Sequence, residues 1–410
     1  MTKVGLYTSP HLRSVRERIQ INNEPLSESL FSKYFFDIWD RLSATGDGSK
    51  PVYFRFLTLV AFHTFLQERV DTAVIECGIG GEYDSTNLLI SPTVTAVTTL
   101  GIDHVGMLGG TITEIAWHKA GIFKKGASAF TVAQPESAMD VLQKRAKERG
   151  TDLQLVERHP QIASGEVKLG LAADFQKTNA SLAVVVAAAH LRALGHNFVP
   201  NPLDINKQGL PVEFRQGLEQ VKLHGRCEMR HEVENRIAWC LDGGHTPESI
   251  AIAGRWFAEE VQILQQSNDN QQPRILIFNQ QTRDAIGLAR ALFAPLSTIL
   301  GPKPFTHVIF TTNVTFKDAG YKPDLVAMNS STEEVQALKV QKELAAIWGE
   351  LDPAADIKIT ETIEDAINRV RIIAKQANTK ETNEETIVFI TGSLHLVGGA
   401  LEILETGGIK

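Results

Sequence analysis

Short apolar runs alternate with longer amphipathic segments along most of this chain. Runs rich in β-branched residues and bounded by glycine or polar residues predict buried strands, whereas apolar residues spaced three and four apart predict helices. The predicted strands are 3–8, 72–75, 93–100, 127–133, 153–157, 237–241, 274–278, 307–310 and 387–390. Because strands and helices alternate, the pattern predicts an α/β fold with a mostly parallel sheet covered by helices on both faces.

Polar residues mark where the predicted helices begin and end. Ser27 is a typical N-cap, and Gly150 is a typical residue after a helix C-terminus. The predicted helices are 27–42, 54–70, 113–121, 136–149, 174–194 and 247–265, with others near 284, 333, 363 and 396. Segments 44–50, 201–208 and 267–272 are predicted loops, and 210–218 is predicted to be irregular. A boundary near 221–225 divides domain 1–222 from domain 223–410.

Composition narrows the function classes. The chain has 410 residues, of which 43% are hydrophobic, and a net charge of -7. This charge argues against a nucleic-acid partner. Three cysteines (Cys77, Cys227 and Cys240) are too few and scattered for a disulfide framework or a zinc site, so a reducing compartment is expected. The sequence contains neither an apolar run of about 20 residues, as a membrane span needs, nor an apolar N-terminal signal segment.

The predicted strand 72–75 ends in Glu76, which is followed by a turn containing Gly78, Gly80 and Gly81. Ligands of open α/β sheets bind at the carboxyl ends of strands, and a carboxylate is a suitable ligand for Mg²⁺. The alternative is a glutamate that caps the turn or pairs with an arginine. This stretch alone leaves both interpretations open.

Three other polar residues follow the same logic. Ser9 comes directly after a strand and either binds a metal or caps a turn. His104 also follows a strand, and a lone histidine is more often structural. If the Glu76 and His104 strands share one sheet, the pair favours a metal site. Lys119 lies in the next helix, and locally it is indistinguishable from a surface lysine.

The second half contains two similar strand ends. Asp242 and His245 follow strand 237–241, and Ser393 and His395 follow strand 387–390. All four residues are also explained as turn formers or helix caps, and for Ser393 and His395 that explanation is preferred.

A series of short motifs resembles folylpolyglutamate synthase, a family of the Mur ligase superfamily. No single motif is specific, but the motifs occur in the family's order and cover most of the chain. They are YTSPHL from Tyr7, VRERI from Val15, FRFLT from Phe54, ECGIGG from Glu76, LGIDH from Leu100, KAGIF from Lys119 and LDGGH from Leu241. The resemblance implies a Mur-ligase-type central ATPase domain and a C-terminal Rossmann-like glutamate-ligase domain.

The resemblance also implies roles for single residues. Ser9, Glu76 and His104 would be magnesium ligands. Lys119 matches a lysine that is carbamylated in some members, and a carbamate can bind a cation whereas an ammonium cannot. Arg226 and Asp242 match ATP contacts, with His245 beside them as a candidate catalytic residue. Finally, the region that helps to bind folate contains Tyr53, Phe54 and Arg55.

The implied reaction is an ATP-driven amide ligation on small-molecule substrates. The γ-phosphoryl group of ATP passes to the terminal carboxylate of a reduced folate, and the amine of glutamate attacks the resulting acyl phosphate. ATP and one or two Mg²⁺ ions are the expected cofactors. We expect a monomer in the cytoplasm, with a mitochondrial form as an alternative.

One part of the family pattern is missing. The family has a Gly-rich phosphate loop and a helix before the strand that leads to YTSPHL, and the sequence contains no G-x-x-x-x-G-K-[ST] motif. The sequence therefore predicts an N-terminally truncated central domain, an exposed sheet edge, and weak or absent ligase activity. The alternatives are a non-catalytic remnant that binds folate or a partner, and a dihydrofolate synthase.

Overall fold

The structure is a computed structural model that describes residues 2–45, 49–202, 204–207, 209–265, 273–281, 284–317, 338–377 and 385–409. It divides into two compact units. The first contains Met1–Gly170 and Asp174–Val221, and the second contains Leu171–Ala173 and Lys222–Lys410. The predicted loop 267–272 and the helix near 333 lie outside the described residues, as do parts of the loops 44–50 and 201–208.

The described strands of the first unit form two sheets. They are β1 (Val4–Tyr7), β2 (Ile19–Ile21), β3 (Glu24–Pro25), β4 (Thr72–Ile75), β5 (Val94–Val97), β6 (Ser128–Thr131) and β7 (Leu153–Leu155). One sheet has the order β3-β2-β1-β4, with β1 and β4 parallel and the other pairs antiparallel. The other has the order β5-β6-β7 and is parallel.

This arrangement corrects one prediction about β4 and shows that a condition set for the metal site is not met. The strand is not covered on both faces, because Ala73 and Val74 are exposed and β1 is its only neighbour in the sheet of described strands. The Glu76 and His104 strands also do not share a sheet, since β4 pairs with β1 whereas β5 pairs with β6. Apolar composition identified the strands but did not specify their neighbours.

Helices pack on both sheets of this unit. They are α1 (Glu28–Ala44), α2 (Tyr53–Gln67), α3 (Val105–Leu108), α4 (Ile112–Lys119), α5 (Glu136–Glu148), α6 (Pro160–Ala163), α7 (Phe175–Ala193) and α8 (Val212–Gln220). The Ser27 N-cap of α1 is confirmed, because its hydroxyl accepts the Leu30 N–H. The prediction that 210–218 is irregular is wrong: Phe214 and Leu218 pack on the hydrophobic core, which stabilises α8 despite Gly217 within it.

Separate hydrophobic clusters hold the two sheets of the first unit. In the four-stranded sheet, Tyr7 and Ile19 are fully buried against Phe56 and Val60 of α2. In the three-stranded sheet, Phe130 packs against the apolar face of α7. The imidazole of His190 links the N-terminal ends of β4 and β5, one strand from each sheet. Its ring nitrogens lie 3.1 Å from Thr72 Oγ1 and 2.6 Å from Thr93 Oγ1.

The second unit is a doubly wound sheet. Its strands are β8 (Glu228–Glu232), β9 (Ile237–Asp242), β10 (Arg274–Phe278), β11 (His307–Phe310), β12 (Asp356–Ile359) and β13 (Thr386–Thr391). The order is β12-β11-β10-β13-β9-β8, and β8 alone is antiparallel to its neighbour. Its described helices are α9 (Pro247–Gln265), α10 (Ala285–Leu300), α11 (Lys339–Leu351), α12 (Ile363–Ala377) and α13 (Leu394–Thr406).

Sequence analysis did not predict the two edge strands of this sheet, β8 and β12. Both contain charged residues, and β12 alternates between exposed and half-buried positions. Central strands such as β9 and β13 are buried at every position and were recognised from their apolar runs. In the ranges described here, no helix is long and apolar enough to cross a membrane.

Candidate active site

The register of β1 and β4 brings the ends of these strands together. The strands run parallel with Tyr7 opposite Ile75, and the Glu76 N–H donates to the Tyr7 carbonyl at 2.9 Å. Thr8 and Glu76 therefore leave the sheet at the same edge, which is the carboxyl end of both strands. This is the edge at which open α/β sheets bind ligands.

The carboxylate of Glu76 is exposed but held in place. The Ser9 N–H donates to Glu76 Oε2 at 3.0 Å, and the Thr8 hydroxyl donates to the same oxygen. The structure thus brings together two of the predicted metal ligands, Ser9 and Glu76. Sequence analysis missed Thr8, although its place at the same strand end was a usable signal.

The segment after Ser9 is fixed by a second carboxylate. Glu17 accepts hydrogen bonds from three consecutive backbone N–H groups, those of Leu12, Arg13 and Ser14, at 2.8 to 3.1 Å for the shortest contact of each. Arg18 Nε donates to His11 Nδ1 at 2.9 Å. The loop that presents Ser9 is therefore built by Glu17 rather than by packing alone.

Asp84 organises the Gly-rich turn after Glu76. Its Oδ2 accepts the N–H groups of Gly78 and Ile79, both at 3.0 Å. Its Oδ1 accepts the Thr86 N–H at 2.9 Å and the Thr86 hydroxyl at 2.7 Å. Asp84 is another residue that sequence analysis missed. An acidic residue followed two positions later by threonine is a turn signal that could have identified it.

Lys119 is the last residue of α4 and lies against the same turn. A side chain on Gly81 would put its Cβ 2.8 Å from the carbonyl oxygens of both His118 and Lys119, so only glycine allows this approach. Within the described ranges, the Lys119 ammonium has no hydrogen-bond or ion-pair partner. Its positive charge acts on the half-buried thiol of Cys77, the pKa of which is nevertheless raised, chiefly by burial.

His104 has a different setting. It is exposed, adopts a left-handed conformation with φ 52°, and precedes the short helix α3. Its Nε2 lies 3.6 Å from Asp103 Oδ2. Among the described residues, no three histidine, cysteine or acidic side chains form a group suited to a metal ion. The structure therefore places Ser9 with Glu76, whereas His104 contacts the neighbouring Asp103.

The three predicted substrate-binding residues form the first turn of α2. Tyr53 and Arg55 are exposed, and Arg18 lies over the Tyr53 ring at 5.8 Å. The Phe54 ring packs directly against Gly78 and lies 5.9 Å from the Tyr7 ring. This turn therefore borders the Gly-rich turn that follows Glu76.

In the second unit, Asp242 ends β9 and is buried. Its carboxylate accepts the Cys227 N–H at 2.9 Å and the Gly244 N–H at 2.7 Å. Burial raises the pKa of Asp242, while the nearby Arg226 charge and these hydrogen bonds act in the opposite direction. His245 Nδ1 lies 2.8 Å from the Gly243 carbonyl oxygen. Arg226, Asp242 and His245 thus belong to one local arrangement.

Ser393 and His395, the two candidate residues that follow β13, are explained by their local surroundings. Ser393 is buried at the N-cap position of α13, yet its hydroxyl forms no capping hydrogen bond. Burial lowers the pKa of His395.

Comparison with known proteins extends over nearly the whole chain. Residues 225–403 match a family model described as dihydrofolate synthetase, C-terminal domain. A folylpolyglutamate synthase from Neurospora crassa is 45% identical over 98% of this chain and 75% of its own length. One from Saccharomyces cerevisiae is 44% identical over 100% of this chain and 73% of its own length.

A solved structure agrees with these relatives. Folylpolyglutamate synthase of Mycobacterium tuberculosis, complexed with ADP and AMPPCP, is 25% identical and superposes with a TM-score of 0.70, covering 98% of this chain and 85% of that one. The two-domain α/β architecture predicted from the motifs is thereby confirmed. With relatives this similar over this much of both chains, the protein is a member of the folylpolyglutamate synthase family of glutamate-adding ligases.

Proposed function

We propose that this chain uses ATP and Mg²⁺ to activate the terminal carboxylate of a reduced folate and joins it to the amine of L-glutamate. Transfer of the γ-phosphoryl group gives an acyl phosphate and ADP. Attack by the glutamate amine forms the amide and releases inorganic phosphate. The substrate class follows from the family, and the roles proposed for single residues are those that the resemblance implies, supported by the geometry described above.

The arrangement of Glu76 carries the proposal. Its exposed carboxylate is fixed by Thr8 and Ser9 at the carboxyl end of two parallel strands. Lys119 lies against the turn that follows and has an ammonium that no described residue neutralises. An acidic group at the start of this turn and a basic group on the helix packed against it can orient a magnesium-bound triphosphate at the moment of transfer.

The donors present suit magnesium. Mg²⁺ prefers oxygen ligands and is usually held by one or two carboxylates together with substrate phosphates, not by a cage of protein groups. Glu76 and the Ser9 hydroxyl would hold the ion, with His104 as a further candidate. Bound there, it would neutralise phosphate charge during transfer.

The other predicted residues take supporting roles in this proposal. The first unit serves as the central ATPase domain and the second as the C-terminal ligase domain. Arg226 and Asp242 bind the nucleotide, and His245 assists catalysis beside them. Tyr53, Phe54 and Arg55 bind the folate, since their turn borders the Gly-rich turn and two of these side chains are exposed.

We also propose that the protein acts as a monomer in the cytoplasm. The three cysteines are free thiols, which is the usual state in a reducing compartment. Light scattering after size exclusion would test the monomer, because a mass near twice 45.1 kDa would contradict it.

Mass spectrometry of the folate product tests the reaction. The purified chain is incubated with ATP, Mg²⁺, bicarbonate, tetrahydrofolate and glutamate. A ladder of products separated by one glutamate each is expected, with no ladder when ATP is omitted or EDTA is added. The rate also tests the weak turnover predicted from the missing G-x-x-x-x-G-K-[ST] motif. Absence of any product in long incubations would contradict the proposal.

Carbamylation is the alternative state of Lys119, in which an anionic oxygen ligand for Mg²⁺ replaces the ammonium, and it has its own test. Reaction with CO₂ consumes the neutral amine and leaves a carbamate, so ¹³C-bicarbonate should give a carbamate carbon signal by NMR. The signal should be lost in Lys119→Arg and kept in Lys177→Arg, the lysine of which pairs with Asp174 elsewhere in this unit. A signal that survives Lys119→Arg would place the carbamate on another lysine.

A further inference from the structure

Glu82 lies near the end of the Gly-rich turn, and its carboxylate is enclosed by Arg145 of α5 and by Arg149, the residue that follows α5. Arg149 Nη2 lies 2.6 Å from Oε1 and 2.7 Å from Oε2, and Arg145 Nη2 contacts Oε2. The side chains of Glu82 and Arg145 are only 17% and 11% exposed. A carboxylate so enclosed, with each oxygen bonded to a guanidinium, holds its position far better than a surface ion pair.

The backbone around Glu82 is tied to the segment that carries Lys119. The Glu82 N–H donates to the His118 carbonyl at 2.7 Å. Asn87 Nδ2 donates to the carbonyls of Glu82 at 3.0 Å and Gly121 at 3.2 Å. Gly121 lies so close to Glu82 that any side chain there would collide with it. Residues 118–121 therefore rest on the turn 81–87.

Arg145 joins α5 to the same segment from the other side. Its guanidinium lies over the Trp117 ring at 4.5 Å, two residues before Lys119. Lys124, which donates to the Asn87 carbonyl at 3.3 Å, adds a third cation to this cluster. Burial, and then the charge of Arg149, lower the pKa of Lys124. Arg145 Nη1 also pairs with Glu148 at 3.1 Å, so loss of Glu82 would remove the carboxylate that Arg145 and Arg149 share.

We propose that Glu82, Arg145 and Arg149 form a positioning network that fixes Lys119 relative to Glu76. The network acts through α5 and the residue after it. Arg145 and Arg149 bind Glu82 in the turn that follows Glu76, and Arg145 also packs on the last turn of α4. None of the three needs to touch a substrate. This inference rests on the proposed function, in which Glu76 and Lys119 act on the same triphosphate.

Steady-state kinetics of charge-removing variants test the network. In Glu82→Gln and Arg149→Gln we expect kcat to fall about 10- to 100-fold, because small misplacements of reacting groups have effects of this size. KM for tetrahydrofolate and for glutamate should stay within about twofold, since the groups that bind them are untouched. Arg149→Lys, which keeps the charge, should recover most of kcat.

Glu166→Gln is the matched control. Glu166 pairs with Arg215 at 2.9 Å, so this substitution also breaks a carboxylate–arginine pair of the first unit. Its kcat should equal that of the unchanged chain. A role in folding alone would lower the amount of binding-competent protein, which AMPPCP binding stoichiometry reports. Full stoichiometry with reduced kcat supports positioning, whereas reduced stoichiometry with unchanged kcat per binding site overturns it.

Hydrogen exchange gives a readout that needs no turnover. In Glu82→Gln, amides in peptides covering 81–87 and 118–122 should exchange at least about tenfold faster, whereas Glu166→Gln should leave them unchanged. Unchanged exchange in Glu82→Gln would overturn the inference whatever the activity. If Glu76→Gln abolishes activity while Glu82→Gln behaves like the control, only the network fails. If Glu76→Gln retains full activity, the role proposed for Glu76 fails, and if the unchanged chain forms no product, the proposed function fails instead.

Discussion

Two strands of this protein end in the same local pattern but use it differently. Strand β4 is followed by Glu76 and then by glycines at 78, 80 and 81, and strand β9 ends in Asp242, followed by glycines at 243 and 244. In both places a carboxylate sits where a parallel strand passes into a Gly-rich turn. Glu76 is exposed, whereas only 5% of Asp242 is exposed.

The partners of each carboxylate explain this difference. The donors to Glu76 come from Thr8 and Ser9, at the end of the neighbouring strand β1. The donors to Asp242 include the N–H of Gly244, in its own turn, and the N–H of Cys227, the residue directly before β8. Glu76 is therefore oriented toward solvent, whereas Asp242 binds its own backbone into a closed turn.

The position of a strand in its sheet determines whether the carboxylate at its end is exposed or buried. β9 lies between β13 and β8, and all six of its residues are buried. β4 has β1 as its one partner in the described sheet, and its middle residues are exposed. Whether a carboxylate at a strand end is exposed or enclosed in its own turn thus depends on its neighbours, which the local motif does not encode.

Replacing Glu76 should give the largest effect on activity. In Glu76→Gln the side-chain carbonyl can still accept from Thr8 and Ser9, but the negative charge is lost. We expect the rate of glutamate addition to fall at least about 100-fold, because removing one group that stabilises charge in the transition state has an effect of this size. Because the site is exposed, the free energy of unfolding should change by less than about 1 kcal/mol.

Product mass spectrometry and urea unfolding measure these two quantities. Glu166→Gln serves again as the control for losing a carboxylate of this unit. A Glu76→Gln chain that kept its rate would remove Glu76 from the machinery. A Glu76→Gln chain that lost several kcal/mol of stability would mean that Glu76, like Asp242, is needed to hold its turn in place, and the contrast between the two strand ends would disappear.

Asp242 should show the reverse, with a large effect on stability. Asp242→Ala leaves the N–H groups of Cys227 and Gly244 buried without an acceptor, which costs about 2 to 6 kcal/mol for the two groups. Asp242→Asn keeps one acceptor oxygen and should lose less. Urea unfolding of both variants gives the comparison. Equal stability of Asp242→Ala and the unchanged chain would mean that the turn is held by other contacts.

The pH dependence of stability sharpens the same contrast. Burial raises the pKa of Asp242 above the value near 3.9 of an unfolded aspartate. Between these two pKa values the folded chain retains a proton that the unfolded chain has lost. The free energy of unfolding should therefore fall as pH rises from about 4 through the raised pKa, with a slope of about 1.4 kcal/mol per pH unit within that window.

Asp242→Asn isolates this contribution because it cannot titrate. The difference between the stability of the unchanged chain and that of Asp242→Asn should decline across the window and become constant above it. Urea unfolding at a series of pH values measures the difference. Parallel curves for the two chains would show that Asp242 does not titrate differently on folding.

Most of the strands were predictable from sequence because buried parallel strands are short, uniformly apolar runs. The predictions at 274–278 and 307–310 match β10 and β11 residue for residue. Edge strands β8 and β12 were missed, since charged residues interrupt the apolar pattern. The division of the first unit into two sheets was also missed, because pairing partners depend on distant parts of the chain.

The candidate site was predictable where a side chain carries its own chemical signal. Glu76 and Ser9 became candidates from their places at strand ends, whereas Lys119 became one only through the family resemblance. The residues that orient them, Thr8, Glu17 and Asp84, were not, since their role depends on which backbone N–H groups the fold brings to them. The shared location of Ser9 and Glu76 likewise follows from the β1–β4 register and from no local feature.

Replacing Thr8 should give the smallest effect on kcat. It changes the orientation of the Glu76 carboxylate without changing its charge. Thr8→Val keeps the shape and removes the hydroxyl that donates to Glu76, leaving the Ser9 N–H at 3.0 Å as the remaining donor. Loss of one hydrogen bond to a charged group should lower kcat about tenfold. Thr8→Ser restores the hydroxyl and should restore the rate. If both variants match the unchanged chain, the Ser9 N–H alone orients Glu76, and the exposed strand end depends on a single backbone contact.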